Sequence, residues 1–265
     1  MMFAGGARRV GRFFQREAAD SVDVSEKDGV RALHLGSVTV QSAMRIATPF
    51  ELELTYSRGV MCFLLFRDDL REMLVIGLGG GSIPKYVHRF LPHMRVICIE
   101  LNPAVLVAAR QHFYLPEDDD RLSVVLGDGA AYVRDHPGAA DLLMLDAFDG
   151  KGLASELTSQ EFYDCCFEGL TEHGILVANL WGSDKNFDVY LQRIEHSFGG
   201  RVLVLPTGRP GNILVFGFRR LPSDLRWKTL RERAKMLQES HRIEFLDFVE
   251  RLRDNNSNTT NRLIF

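Results

Sequence analysis

The sequence predicts a doubly wound α/β fold on a mostly parallel sheet, closed by an antiparallel hairpin and preceded by a small β-domain. Three observations carry that expectation. From Glu72 onward, short apolar runs alternate with helical patterns, the order that winds a parallel sheet between two helical layers. The apolar runs are bulky and uninterrupted, as strands covered on both faces must be. A glycine run, Gly77-Leu78-Gly79-Gly80-Gly81, joins the first of these strands to a helix, and such a turn lets backbone approach a ligand closely.

The elements follow in order. Residues 1–20 hold Arg8, Arg9, Arg12 and Arg16 but no apolar core of signal length, and are expected to form a mobile terminus. Residues 21–70 are expected to form a small β-rich domain. Its strands are Val22–Val24, Arg31–Leu35 and Ser37–Gln41, with turn signals at Asp28-Gly29 and Leu35-Gly36. The solidly apolar stretch from Met61 to Phe66 reads as a helix leading into the main domain. Over residues 71–220 the strands are Met73–Leu78, Met94–Glu100, Leu122–Leu126, Asp141–Asp146 and Gly174–Leu180. Helices lie between them near Ile83–Phe90, Pro103–Phe113, Ala130–Asp135 and Ser159–Glu168. Arg201–Leu205 and Asn212–Phe216 then pair as the closing hairpin. That hairpin is expected of an S-adenosylmethionine-dependent transferase sheet and not of a six-parallel-strand dinucleotide domain. Residues 221–265 read as a charged helical extension ending in a polar tail, Asp254 to Asn261, expected to be mobile.

Composition narrows the function. A formal charge of −3 on 265 residues gives no basis for bulk nucleic-acid or membrane binding. No stretch approaches the roughly 20 apolar residues that span a bilayer. Cys62, Cys98, Cys165 and Cys166 lack metal-ligand spacing, which fits reduced thiols in a cytoplasmic protein.

Acidic residues end three of the strands after the glycine run: Glu100, Asp128 and Asp146. In an open parallel sheet such strand ends share one crevice. Glu100 stands about 20 residues beyond the glycine loop, where an acid accepts both ribose hydroxyls. Asp128, in Gly127-Asp128-Gly129, either accepts an adenine amine or caps a helix. Asp146 and Asp149 follow the fourth strand and either face a bound ligand or hold their loop. The glycine loop alone also fits a tight turn in any α/β protein. Four carboxylates around one crevice would attract a cationic ligand.

Taken together, Val75 to Gly81, Ile99-Glu100, Gly127-Asp128-Gly129, Asp146-x-x-Asp149 and Ser155-Glu156 through Glu161-Phe162-Tyr163 resemble the polyamine aminopropyltransferases, the spermidine synthase family. Asp28-Gly29-Val30 and Val40-Gln41 to Tyr56 resemble that family's small amino-terminal domain. The resemblance implies that Gly79 and Gly81 line a nucleoside, with Ser82 beside them, that Glu100 holds its ribose, and that Gly127 and Asp128 read its adenine. It implies that Asp146 is the proton acceptor, while Asp149 and Tyr56 hold the amine substrate. The donor would be decarboxylated S-adenosylmethionine and the acceptor putrescine or a similar diamine, with no prosthetic group and no metal. A homodimer is expected by resemblance only.

The chain departs from that pattern at Ser82, where the family carries an aspartate for the donor's amine, and at Ser57-Arg58 beside Tyr56. An arginine near a diamine pocket would oppose a cation unless it points away or pairs with an acid. The departures keep two other readings open: a methyltransferase using intact S-adenosylmethionine, and a noncatalytic nucleoside-binding protein.

Overall fold

The computed structural model describes residues 21–37, 39–149, 152–153, 155–208 and 211–265. The expectations for residues 1–20 and for Arg209-Pro210 in the hairpin loop lie outside them.

Three antiparallel strands come first: β1 (Val22–Lys27), β2 (Val30–Leu35) and β3 (Val40–Arg45). Asp28 and Gly29 take positive φ angles of 52° and 74°, the geometry whose twist suits a two-residue hairpin turn. The third strand begins later than expected. Its register against β2 spans Val40 to Arg45 and buries Ala43 and Met44, whereas Gly36 and Ser37 bend away. Two short helices follow, α1 (Thr55–Val60) and α2 (Phe63–Phe66). The apolar run Met61–Phe66 is buried throughout. Phe66 meets Phe216 and Phe218 edge-on at 5.9 and 5.1 Å, which pins this segment to the far end of the main sheet.

The main sheet uses β4 (Glu72–Ile76), β5 (Arg95–Glu100), β6 (Leu122–Leu126), β7 (Ala140–Leu145), β10 (Leu170–Trp181), β11 (Val202–Pro206) and β12 (Asn212–Phe218). A two-stranded ribbon, β8 (Phe148–Asp149) with β9 (Gly152–Leu153), stands apart. The spatial order is β11-β12-β10-β7-β4-β5-β6. Strands β4, β5, β6, β7 and β10 are parallel, and β12 with β11 forms the antiparallel hairpin. Five helices connect them: α3 (Ser82–Phe90), α4 (Pro103–Phe113), α5 (Gly129–Asp135), α6 (Gln160–Gly169) and α7 (Phe187–Ser197). Alternate strand residues feed two cores. Met73 and Val75 pack with Val87 of α3 and Phe113 of α4, while Leu74 and Ile76 pack with Val133 of α5 and Phe162 of α6. Each such side chain contributes roughly 1.5–3 kcal/mol on burial. Helix α7 was not anticipated, because Ile194 is its one fully buried residue and a mostly solvated helix leaves little apolar periodicity.

The C-terminal extension forms α8 (Trp227–His241) and α9 (Phe245–Asn255). The tail after it, expected to be polar, is paired with the rest of the chain. Its polar side chains replace apolar content with backbone pairing. Asn256 Nδ2 donates to Val204 O and Oδ1 accepts from Val204 N, both at 2.8 Å, so an amide closes the open edge of β11. Trp227 Nε1 donates to Thr259 O at 3.1 Å, and Leu263 is fully buried. No helix among the described residues is long and apolar enough to cross a membrane.

From β4 the chain winds outward through β5 to β6, then returns to place β7 on the other side of β4. The order reverses between β4 and β7, and ligands bind at such a reversal, beyond the carboxyl ends of the strands.

Candidate active site

At that reversal Gly77 has φ +93°, and a Cβ there would stand 2.4 Å from the carbonyl oxygen of Asp146. Only glycine lets the ends of β4 and β7 pass so closely. Gly79, at φ +53°, lies against the Ser42 side chain of β3. Gly81 takes φ +68° and caps α3. It turns the chain and stands outside the cavity lining, unlike the expectation that it lines a nucleoside.

Glu100 ends β5 almost fully buried, at 9% exposure. Its Oε2 accepts from Leu78 N at 2.9 Å and its Oε1 from Asn102 N at 2.8 Å. Burial raises its pKa, and these backbone donors oppose the rise. A carboxylate has about four lone-pair sites, so each oxygen keeps capacity for a ligand hydroxyl. Asp128 is the N-cap of α5, with Oδ1 accepting from Ala130 N at 2.8 Å and Ala131 N at 3.4 Å. The capping alternative is therefore realised, and the residue also lines the cavity together with Gly127.

Asp146 follows β7. Tyr56 of α1 donates its hydroxyl to Oδ2 at 3.0 Å, and Asn179 of β10 donates Nδ2 to Oδ1 at 2.7 Å. Burial pushes the Asp146 pKa up to about 6, against the lowering effect of these two bonds. Burial and the neighbouring Asp146 charge raise Tyr56 well above its ordinary value, so its hydroxyl remains a donor. Asn179 is itself fixed, its Oδ1 accepting from Asn212 Nδ2 of β12 at 2.9 Å. The closing hairpin thus orients the carboxylate of the parallel sheet.

Two cavities of about 390 Å³ each meet at this point, and both are lined by Gln41, Tyr56 and Asp146. The first extends past Gly79 and Ser82 to Glu100, Gly127 and Asp128. The second runs between Thr55, Asn179, Trp181 and Asn212. The structure therefore gathers Tyr56, Gly79, Ser82, Glu100, Gly127, Asp128 and Asp146 around one space. Asp149 has its backbone in β8, but its side chain lies outside the described residues, as does Lys151. Arg58 points away from both cavities, its Nε donating to both oxygens of Glu244 at 2.9 Å.

Sequence reasoning missed Gln41, Asn179 and Asn212. Asn179 had a usable signal, an amide within the otherwise apolar Ile175–Leu180, since a buried polar group must find a partner. Gln41 and Asn212 gave none, because the ends of strands are polar for many reasons.

The spermine/spermidine synthase domain pattern matches residues 53–196. A polyamine aminopropyltransferase of Chromobacterium violaceum is 40% identical, covering 94% of this chain and 95% of its own length. Among solved structures, a probable spermidine synthase from Corynebacterium glutamicum aligns with a TM-score of 0.66 at 18% identity, over 80% of this chain and 83% of its own. Human methyltransferase-like protein 13, solved in complex with SAH, aligns with a TM-score of 0.65 at 24% identity, over 72% and 93%. Scores this close join a synthase to a methyltransferase-like protein, so the structural likeness speaks to the fold alone. The match across nearly the whole chain is what decides: the chain belongs to the spermine/spermidine synthase family.

Proposed function

We propose that the protein transfers the aminopropyl group of decarboxylated S-adenosylmethionine to putrescine or a similar diamine, giving spermidine and 5′-methylthioadenosine. The observation that carries this reading is Asp146 on the wall shared by two cavities. One cavity has nucleoside-binding features, and the other would admit the acceptor amine to the same carboxylate.

In this reading Glu100 accepts the ribose hydroxyls, Gly79 lets the loop approach the nucleoside, and Asp128 accepts the adenine amine. The sulfonium then lies toward Asp146. An alkylamine has a pKa near 10.4, so only about one in a few thousand is a free nucleophile at pH 7. The Asp146 carboxylate binds the ammonium and takes its proton. The amine nitrogen bonds to the methylene carbon next to sulfur, the carbon–sulfur bond breaks, and its electron pair leaves sulfur as a neutral thioether. Tyr56 and Asn179 hold the carboxylate in one orientation, which favours the alignment this displacement requires. Asp149 is proposed as a second contact for the polyamine. The units at residues 21–70 and 71–220 would supply opposite walls of the site.

The test is direct. Purified protein is incubated with decarboxylated S-adenosylmethionine and a series of diamines, and both products are followed by mass spectrometry. Equimolar methylthioadenosine and aminopropylated amine are expected. Tight methylthioadenosine binding without transfer to any diamine would overturn the proposal.

A further inference from the structure

Two side-chain amides and the carboxylate of Asp146 stand in a row along the second cavity. Asn212 Nδ2 of β12 donates to Asn179 Oδ1 at 2.9 Å, and Asn179 Nδ2 donates to Asp146 Oδ1 at 2.7 Å. The sheet dictates this alignment. Across β10 and β12, Asn179 pairs with Leu214 and Trp181 with Asn212, so the two asparagines share a face. Ala178 pairs with Leu145 of β7, one residue before Asp146. Asn179 is buried, at 2% exposure, so both ends of its amide must find partners. The other oxygen of Asp146 accepts from Tyr56 of α1. Among the described residues lining the second cavity, Tyr56 and Asp146 are the titratable ones. Glu100, Asp128 and Glu156 line the first.

An amide has a donor end and an acceptor end, so such a row has a direction. Here every bond points toward Asp146 and suits an ionised carboxylate, which only accepts. The reverse row needs a proton on Asp146, donated to Asn179 Oδ1, with Asn179 Nδ2 turned toward β12. Turning Asn179 alone would set two NH₂ groups face to face, so both amides must turn over together. The direction of the row and the charge of Asp146 are therefore linked, and Asn212 is the far end that sets the direction. Its backbone is held separately: Thr207 donates to Asn212 O from N at 2.9 Å and from Oγ1 at 2.8 Å. A changed side chain at 212 leaves those bonds in place. We infer that Asn212 is a positioning residue which, acting through Asn179, holds Asp146 in its ionised, proton-accepting form. The inference deepens the proposed function and rests on it for its kinetic consequence.

The test compares the full chain with two variants. Asn212→Asp presents only acceptors when ionised, and Asn212→Leu keeps the volume and presents neither donor nor acceptor. The Asp146 carboxyl is titrated by carbon NMR, its resonance identified by its loss in Asp146→Asn. The parent midpoint is expected near 6. It should move up by about 0.5–1 in Asn212→Leu and by about 1–2 in Asn212→Asp, where Asn179 turns its NH₂ toward the new acid. The kcat/KM of Asn212→Leu should fall about 3- to 10-fold at about pH 5 and less than about twofold at about pH 9. A merely structural loss would be the same at both. Unmoved midpoints, or an Asn212→Leu defect of equal size at every pH, overturn the inference. Circular dichroism reports that each variant keeps its fold, and should Asn212→Asp lose it, Asn212→Leu decides alone. The titration needs no turnover, so a parent that transfers to no diamine refutes the functional reading while the midpoints still decide this inference.

Discussion

The two halves of the site hold their carboxylates in different ways. Glu100, at the end proposed for the nucleoside, is clamped by the backbone amides of Leu78 and Asn102. Asp146, where the cavities meet, is held by the side chains of Tyr56 and Asn179. Burial raises the pKa of both. Backbone donors at a strand end are fixed by the fold, so Glu100 is an acceptor of constant geometry. Side-chain donors leave an acid whose proton affinity depends on its neighbours, and a value near 6 suits a base working at neutral pH. In the proposed reading one end of the site holds the nucleoside, and the other exchanges a proton.

Replacing Asp146 gives the largest expected effect and tests the exchanging end. Asp146→Asn should lower kcat by about 10²- to 10⁴-fold, with methylthioadenosine affinity changed only a few-fold. The pH dependence follows from the raised pKa. In the parent protein log kcat/KM should rise with unit slope below about pH 6 and bend near that value, because the protonated acid takes no proton. Stability runs the other way. The folded state holds this proton more tightly than the unfolded chain, whose ordinary value is 3.8. Stability linked to Asp146 is therefore fully present below about pH 4 and lost as pH rises through about 6. Asp146→Asn should then be more stable than the parent at pH 7 by ~1–3 kcal/mol and gain nothing at pH 4, read from denaturant midpoints. Equal profiles for parent and variant would leave Asp146 without a buried charge.

Glu100→Gln tests the holding end and should have the next largest effect. A glutamine has one acceptor oxygen, so either Leu78 N or Asn102 N must face an NH₂ group, and the ribose hydroxyls lose their anion. Methylthioadenosine affinity should fall about 10- to 100-fold by calorimetry, with ~1–3 kcal/mol of stability lost. In contrast to Asp146→Asn, kcat at saturating donor should change least. A variant with unchanged nucleoside affinity would remove Glu100 from the ribose.

The same contrast explains how much the sequence disclosed. The holding end is local: a glycine loop, and acids at the ends of Arg95–Glu100 and Leu122–Leu126, can be read along one βαβ repeat. The parallel strands and the closing hairpin were legible for the same reason, as uninterrupted apolar runs between helical patterns. The exchanging end is assembled across the chain. Tyr56 reaches Asp146 from 90 positions away, and Asn179 from 33, while Asn212 braces Asn179 only because β12 lies beside β10. No periodicity records such a meeting. The tail's pairing is hidden for a related reason: Asn256 looks like a residue of a solvated segment until the edge of β11 is there to receive it.

Arg58 sharpens the comparison with the smallest expected effect, because it follows Tyr56 closely in sequence but belongs to neither end of the site. Its charge would tell against a diamine pocket if it faced one. Instead Nε bridges both oxygens of Glu244, Nη1 donates to Leu52 O at 3.2 Å and Glu53 O at 2.6 Å, and Nη2 donates to Thr55 Oγ1 at 3.2 Å. These bonds tie the start of α1 to the start of α9 and give each guanidinium nitrogen a partner. The side chains of Arg58 and Glu244 are 24% and 34% exposed, so solvent screens part of the attraction. Arg58→Ala should therefore cost ~1–2 kcal/mol of stability, chiefly through the unpaired carbonyls and Glu244. The KM for the diamine should stay within about twofold, because a charge neutralised at 2.9 Å projects little field beyond one Debye length of about 8–10 Å. Steady-state kinetics at low and high salt separate the two possibilities. A diamine KM that drops severalfold in Arg58→Ala, and most at low salt, would place the guanidinium's field in the acceptor cavity and undo its assignment as a strut.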